Sequence, residues 1–274
     1  MLQHDYGRLQ AELADALGLF APPIAISFVD RGPDGVERYA ASAPEPTPDG
    51  RTGAVPAGCV FWIKAAERTF ATLPGDHGNC SVGCVTHGLK SLEEVAHNAD
   101  VAALCESGWV TPEAMQGITA VAEKPGAIVY GPLGDTPVDP SVVLLRLNGK
   151  QQMMLHDAWP EMRLEGKPQC HIIAIAKEQG EVALSVGCML SRVRTGMSNN
   201  EITCAIPGHL VPQVIERLHA ARAADMAVAA YAADDARRFG NACPSWQPDH
   251  ERVADVDVAG RRTIMHPVRQ IGGA

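Results

Sequence analysis

The sequence predicts a single α+β domain, with a mixed or antiparallel sheet packed by helices. Three observations carry that expectation. β-Prone runs at 127–130, 142–147, 171–176, 181–186 and 202–206 crowd the middle of the chain. Helix-period segments flank them, and no repeat, low-complexity tract or clean linker divides residues 1–274. Strands bunched in this way favour mixed or antiparallel pairing over a doubly wound sheet. At 46% apolar, the chain can bury a sizeable core without disulfide or metal staples. A metal site here would serve function before stability.

The elements follow in order. Leu9, Leu13, Ala16, Leu17 and Phe20 recur at helical spacing, so the chain opens with an amphipathic helix that stops near Gly18. Pro22 and Pro23 break it, and Ile24–Val29 reads as a buried strand. Residues 31–56 are rich in Pro, Gly, Asp and Ser and read as a long loop holding a strand or two. A helix is expected to begin after Cys59, over residues 61–68. Ser91 and Glu94 form a capping-box pattern, which predicts a helix to about Cys105. Thr111-Pro112 starts another, with Pro in the favoured first position. Gly180 between two β-prone runs suggests a hairpin. Pro212 opens a helix bearing Val211, Val214, Ile215 and Leu218, and an Ala-rich helix over 220–239 continues or packs on it. That Ala-rich face suits a homodimer.

Charge and leader signals narrow the function classes. The net charge is −9 and no stripe of Lys and Arg occurs, which argues against a nucleic-acid partner. The first ten residues carry an acid and no apolar core of a signal peptide, and no apolar run approaches a membrane span. The expectation is a cytoplasmic protein without a membrane partner. Eight cysteines in a reducing compartment are by default inert thiols, with metal or redox chemistry for those that cluster.

They do cluster. Gly58-Cys59-Val60-Phe61-Trp62 is followed by Asp76-His77-Gly78-Asn79-Cys80-Ser81-Val82-Gly83-Cys84-Val85-Thr86-His87-Gly88. Thiolates are soft, charged donors suited to zinc, copper(I) and iron–sulfur clusters. The interspersed glycines let backbone approach an inorganic centre closely. Cys188, in Val186-Gly187-Cys188-Met189, follows a β-prone run, where functional groups are commonly presented. The site loops are thus 58–88 and 186–201. The spacing Cys-x3-Cys-x2-His matches neither a zinc ribbon nor a ferredoxin run, and small buried thiols in a tight loop are the plain alternative.

The segments Gly-Cys-x-Phe-Trp, Asp-His-x-Asn-Cys-x-Val-Gly-x-x-x-His-Gly and Ser-Val-Gly-Cys-x-x-x-Arg-x-x-Thr-Gly-Met resemble those of the uncharacterised ArCR family, a domain of unknown function. The likeness runs from the first helix to the Pro207 turn. It implies that Cys59, Cys80 and Cys188 occupy the family's cysteine positions, whereas Cys84 falls where a small residue is expected. The family brings no settled activity with it.

Three thiolates from separated loops lead to one expectation: a [4Fe–4S] cluster on Cys59, Cys80 and Cys188 with one iron left without a protein ligand. An open iron is a Lewis acid for lyase, hydrolytic or desulfuration chemistry on a small polar molecule. If Cys84 or His87 supplies a fourth ligand, the centre is closed and electron transfer, sensing or carriage fits better. A zinc site on Cys59, Cys80, Cys84 and His87 or Cys188 is the colourless alternative, and a thiol-redox pair of Cys80 and Cys84 is a metal-free one. His77 and His87 are candidate proton donors or extra ligands, while Arg194 and Glu201 are candidates for orienting a substrate carboxylate. Against these stand a loop-bracing histidine and an ordinary ion pair. Cys170, Cys105 and Cys204 read as core, and Cys243 as an exposed thiol or part of a lid. Trp62 reads as packing over the site, and Met153, Met154 and Met189 as fillers of core gaps.

Overall fold

The computed structural model describes residues 2–39, 58–78, 80–195 and 197–238. Helix α1 (Tyr6–Leu17) starts where the Asp5 carboxylate accepts the Arg8 amide, and ends at Gly18 with φ of 61°. Strand β1 (Ile24–Val29) follows. Helix α2 (Gly58–Ala65) and the short strand β2 (Phe70–Thr72) lead into a run of small helices: α3 (Ser81–Thr86), α4 (Leu92–Val95), α5 (Ala99–Glu106) and α6 (Pro112–Gln116). Strands β3 (Ala127–Pro132) and β4 (Val142–Leu147) precede helix α7 (Gly149–Ala158) and strand β5 (Arg163–Glu165). Helix α8 (His171–Ala174) passes into a π-helical turn, Ile175–Gln179, before strand β6 (Ala183–Ser185). Helix α9 (Met189–Thr195), strand β7 (Ile202–Pro207) and the long helix α10 (Val211–Arg238) complete the described chain.

The strands form one open sheet in the order β2-β3-β1-β4-β7-β6-β5. Every pairing is antiparallel except β5 with β6, which is parallel. This is a mixed sheet in an α+β domain.

Alternation along the strands divides the core in two, because successive side chains leave a strand on opposite faces. Ile24, Ile26, Val142, Leu144, Tyr130 and Ala205 meet α2, α3 and α8 on one face. Ala25, Val143, Leu145, Leu147, Cys204 and Ile206 meet α1, α7 and α10 on the other. Both faces are therefore dry, and the sheet is the middle of three layers.

Several expectations need correction. The run 171–176 is helix and not strand. Ile172, Ile173 and Ile175 are buried on all sides, and such a run has no periodicity to separate strand from helix. Gly180, with φ of 69°, ends that helical turn and makes no hairpin. The capping box at Ser91 is present, but its helix stops at Val95 and a second begins after Asn98. Helix α2 starts at Gly58, so Cys59 lies within its first turn. The two C-terminal segments are one helix. Met153 and Met189 are exposed and fill no core gap, whereas Met154 is buried. Residue 239 and Cys243 lie outside the described residues, as do 40–57 of the long loop. Its described end, at Arg38 and Tyr39, lies along β2.

Candidate functional site

The site lies on the α2, α3 and α8 side of the sheet. Gly58, Cys59, Cys80, Gly83, Trp109, Pro168, Gln169, Cys170, Cys188 and Ser191 are among the residues that line one cavity there. Its remaining walls are the aliphatic side chains of Val82, Leu104 and Leu190. Four thiols from four separate segments thus border a single apolar space.

Each is delivered by local structure. Cys59 lies in the first turn of α2, and at Gly58 before it a Cβ would press on the His87 ring at 3.1 Å. Cys80 is the N-cap of α3, where its Sγ accepts the Gly83 amide at 3.4 Å. The start of α3 is anchored by Asp100, which accepts both the Ser81 amide (2.8 Å) and the Ser81 hydroxyl (2.7 Å). Cys170 caps α8. The adjacent Gln169 donates through Nε2 to the Ser191 hydroxyl at 2.8 Å, tying this segment to α9. Cys188 directly precedes α9. Its backbone is set by Gly187, whose φ of 110° suits glycine alone and where a Cβ would stand 2.7 Å from the Arg192 guanidinium. Arg192 in turn donates to the carbonyls of Val186 (2.8 Å), Glu201 (3.2 Å) and Ser198, holding the chain on both sides of α9.

All four thiols stand at or next to the starts of helical segments. Burial, the first cause, and the neighbouring thiols of Cys80, Cys188 and Cys59 push the Cys170 thiol well above its ordinary range. Four thiolates therefore require a positive partner between them.

Other residues singled out in the sequence fall elsewhere. The Cys84 Sγ donates to the His77 carbonyl at 3.4 Å, is buried in the core, and does not border the cavity. Burial lifts its thiol to about 11. His77 packs on Phe61, with ring centroids 4.7 Å apart, and bonds through Nε2 to the Thr72 hydroxyl at 2.9 Å. His87 lies behind Gly58, and its Nδ1 faces the Gly83 carbonyl at 2.9 Å. That contact makes Nδ1 the protonated nitrogen and leaves a lone pair on the buried Nε2, which has no partner among the described residues. Burial lowers His77 to about 3 and His87 to about 4, so both are neutral near pH 7. Trp62 is buried in the core without bordering the cavity.

Glu201 is buried and pairs with Arg146 in β4, through Nε at 2.5 Å and a second bond at 3.0 Å. This bidentate pair fixes the start of β7 to β4, so Glu201 is occupied structurally. Arg194 falls in α9, and its side chain lies outside what the structure describes.

Cys170 lies in the core, as the sequence suggests, and it also lines the cavity, which the sequence does not show because the apolar run after it reads as a strand. The signal present in the sequence is Pro168, two residues before the cysteine, at the entry to a helix. Among the described residues no three Cys, His, Asp or Glu side chains lie close enough to hold a single metal ion.

A family model, described as uncharacterised ArCR (DUF169), matches residues 12–217. The chain belongs to the ArCR family. The match spans the whole sheet and all four cavity cysteines of this ArCR protein. No curated protein and no solved structure matches it. Among the described residues no helix is long and apolar enough to cross a membrane.

Proposed function

We propose that this ArCR protein is an iron–sulfur protein that holds a [4Fe–4S] cluster in the four-thiol cavity. Cys59, Cys80 and Cys188 are its ligands, and its chemistry acts on a small polar molecule. One observation carries the reading: these three cysteines, far apart in sequence, border the same apolar cavity.

The donor set fits the group. Thiolates are the preferred ligands of such clusters. Four thiols on one cavity wall suit a polynuclear centre, in which each thiolate binds a different iron. When bound, the cluster supplies one-electron chemistry or, at an iron with an exchangeable position, a Lewis acid for lyase, hydrolytic or desulfuration reactions.

The protein's own groups supply the surroundings. Gln169 carries a buried Oε1 without a partner among the described residues, and Gln169 and Ser191 are polar residues among those that line the cavity. They are the groups available to orient a small polar molecule. Trp109 borders the cavity with Lys167 over its ring at 4.5 Å, a cation beside the wall that suits an anionic substrate. His77 and His87 are held away from the cavity and brace the loop behind α2 and α3. A reducing cytoplasm, where unpaired thiols persist, is the compartment that suits this site.

A second reading is a closed centre used for electron transfer, sensing or carriage, and the presence of a fourth thiol in the wall favours it. The test of the shared claim is Cys80→Ala purified without oxygen. Loss of the cluster's colour and iron is expected, and a fully retained cluster in that variant would defeat the assignment.

A further inference from the structure

We propose that Cys170 is the fourth protein ligand of the cluster, so that every iron carries a thiolate when no outside molecule is bound. The inference rests on the iron–sulfur reading and goes beyond it, since three ligands alone leave one iron open.

Two cysteines beyond the three are near enough in the fold to compete for this place, and they face differently. Cys84 is turned to the His77 carbonyl and does not border the cavity. Cys170 borders the cavity with Cys59, Cys80 and Cys188. It is 8% exposed and Cys188 is 9% exposed, so both thiols reach the space from a dry wall. The segment that carries Cys170 is tied to the elements that carry two of the others. Helix α8 packs against α3, the helix capped by Cys80. Gln169 bonds to Ser191 on α9, directly after Cys188. The four thiols thus belong to one braced unit.

Closure changes how the centre is reached. An outside molecule gains the fourth iron only by exchange: the iron–Sγ bond to Cys170 breaks, a bond from iron to the incoming oxygen or sulfur forms, and the released thiolate takes a proton from solvent. The apolar wall favours the neutral thiol once it is released. No electron moves in this step.

The test compares wild type, Cys170→Ala, Cys170→Ser and Cys84→Ala, each loaded anaerobically with iron and sulfide and treated with one equivalent of ferricyanide. Iron content and the electron paramagnetic resonance spectrum are read. Wild type and Cys84→Ala are expected to keep their irons and show no three-iron signal. Cys170→Ala is expected to bind a cluster, lose about one of its four irons, and accept an added small thiol that shifts its spectrum. Should the alanine variant not fold, the serine variant, with a weaker oxygen ligand, shows the same loss. A wild type that itself sheds one iron, with Cys170→Ala indistinguishable from it, overturns the role of Cys170 and leaves the cluster standing. A wild type that takes up neither iron nor sulfide overturns both readings.

Discussion

The two faces of the sheet are built differently. The face under α1, α7 and α10 is mostly aliphatic, with Leu13, Leu145, Leu147, Leu155, Val214 and Leu218 fully buried. The opposite face holds short helices, four cavity thiols, two neutral buried histidines, and buried polar atoms of Trp62, His87, Tyr130 and Gln169 that lack partners among the described residues. A buried polar atom without a partner costs about 1–3 kcal/mol. Several lie on the face that carries the cavity and few on the other, so the aliphatic layer is the one with the fewer such costs. Proteins break local rules chiefly where function requires it.

That contrast can be broken by experiment. The largest effect belongs to the aliphatic face. Leu145→Ala is expected to cost about 2–5 kcal/mol, as a large-to-small change in a filled core does, while the folded fraction binds iron as before. Urea unfolding and iron analysis on one sample check both parts. Loss of iron from the folded fraction would show that the faces are not independent.

The next effect is a pH dependence from the site face. Burial lowers His87 from 6.5 to about 4, so between these values unfolded chains take up a proton that folded chains refuse. Stability is therefore full above pH 6.5 and is lost as pH falls through the window, by roughly 3 kcal/mol at about 1.4 kcal/mol per unit. His77, lowered to about 3 by burial and then by the nearby His87, adds in the same direction. Urea midpoints between pH 7.5 and 4.5 measure the slope, and His87→Asn, which keeps a donor for the Gly83 carbonyl without titrating, should flatten it. An equal slope in that variant would mean that the acid sensitivity resides elsewhere.

The smallest effect sharpens the comparison within the site face. Gly187→Ala forces an alanine to φ of 110° and a Cβ against Arg192, a strain of about 1–3 kcal/mol. Because Cys188 is next in the chain, iron binding should weaken more than global stability. Equal loss of both, by calorimetry and iron titration, would remove Gly187 from the account of how Cys188 is positioned.

Much of this was legible in the sequence, for reasons that vary by element. Helix α1 had an amphipathic stripe and a glycine stop, and β4 a β-prone run with turns beside it, so local pattern and tertiary structure agree. Helix α7 was missed although its signal was present: Asn148 and Gln151 form a capping box. Strands β2 and β5 have three residues each, too few for any period to show. At the site, Cys59, Cys80 and Cys188 could be selected by their glycine-rich surroundings, but the place of Cys170 depends on the helix α8 and on pairings across the sheet. The Arg146 partner of Glu201 lies on the neighbouring strand β4, and only the register of β4 with β7 reveals it. Contacts between distant segments are what local pattern cannot carry.

The most direct test of the central claim is the iron and acid-labile sulfide content, with an absorption spectrum, of wild-type protein purified without oxygen. The account predicts about four irons and four sulfides per chain, with a broad band near 400 nm. Stoichiometric zinc without sulfide or colour, or no metal at all, would contradict it.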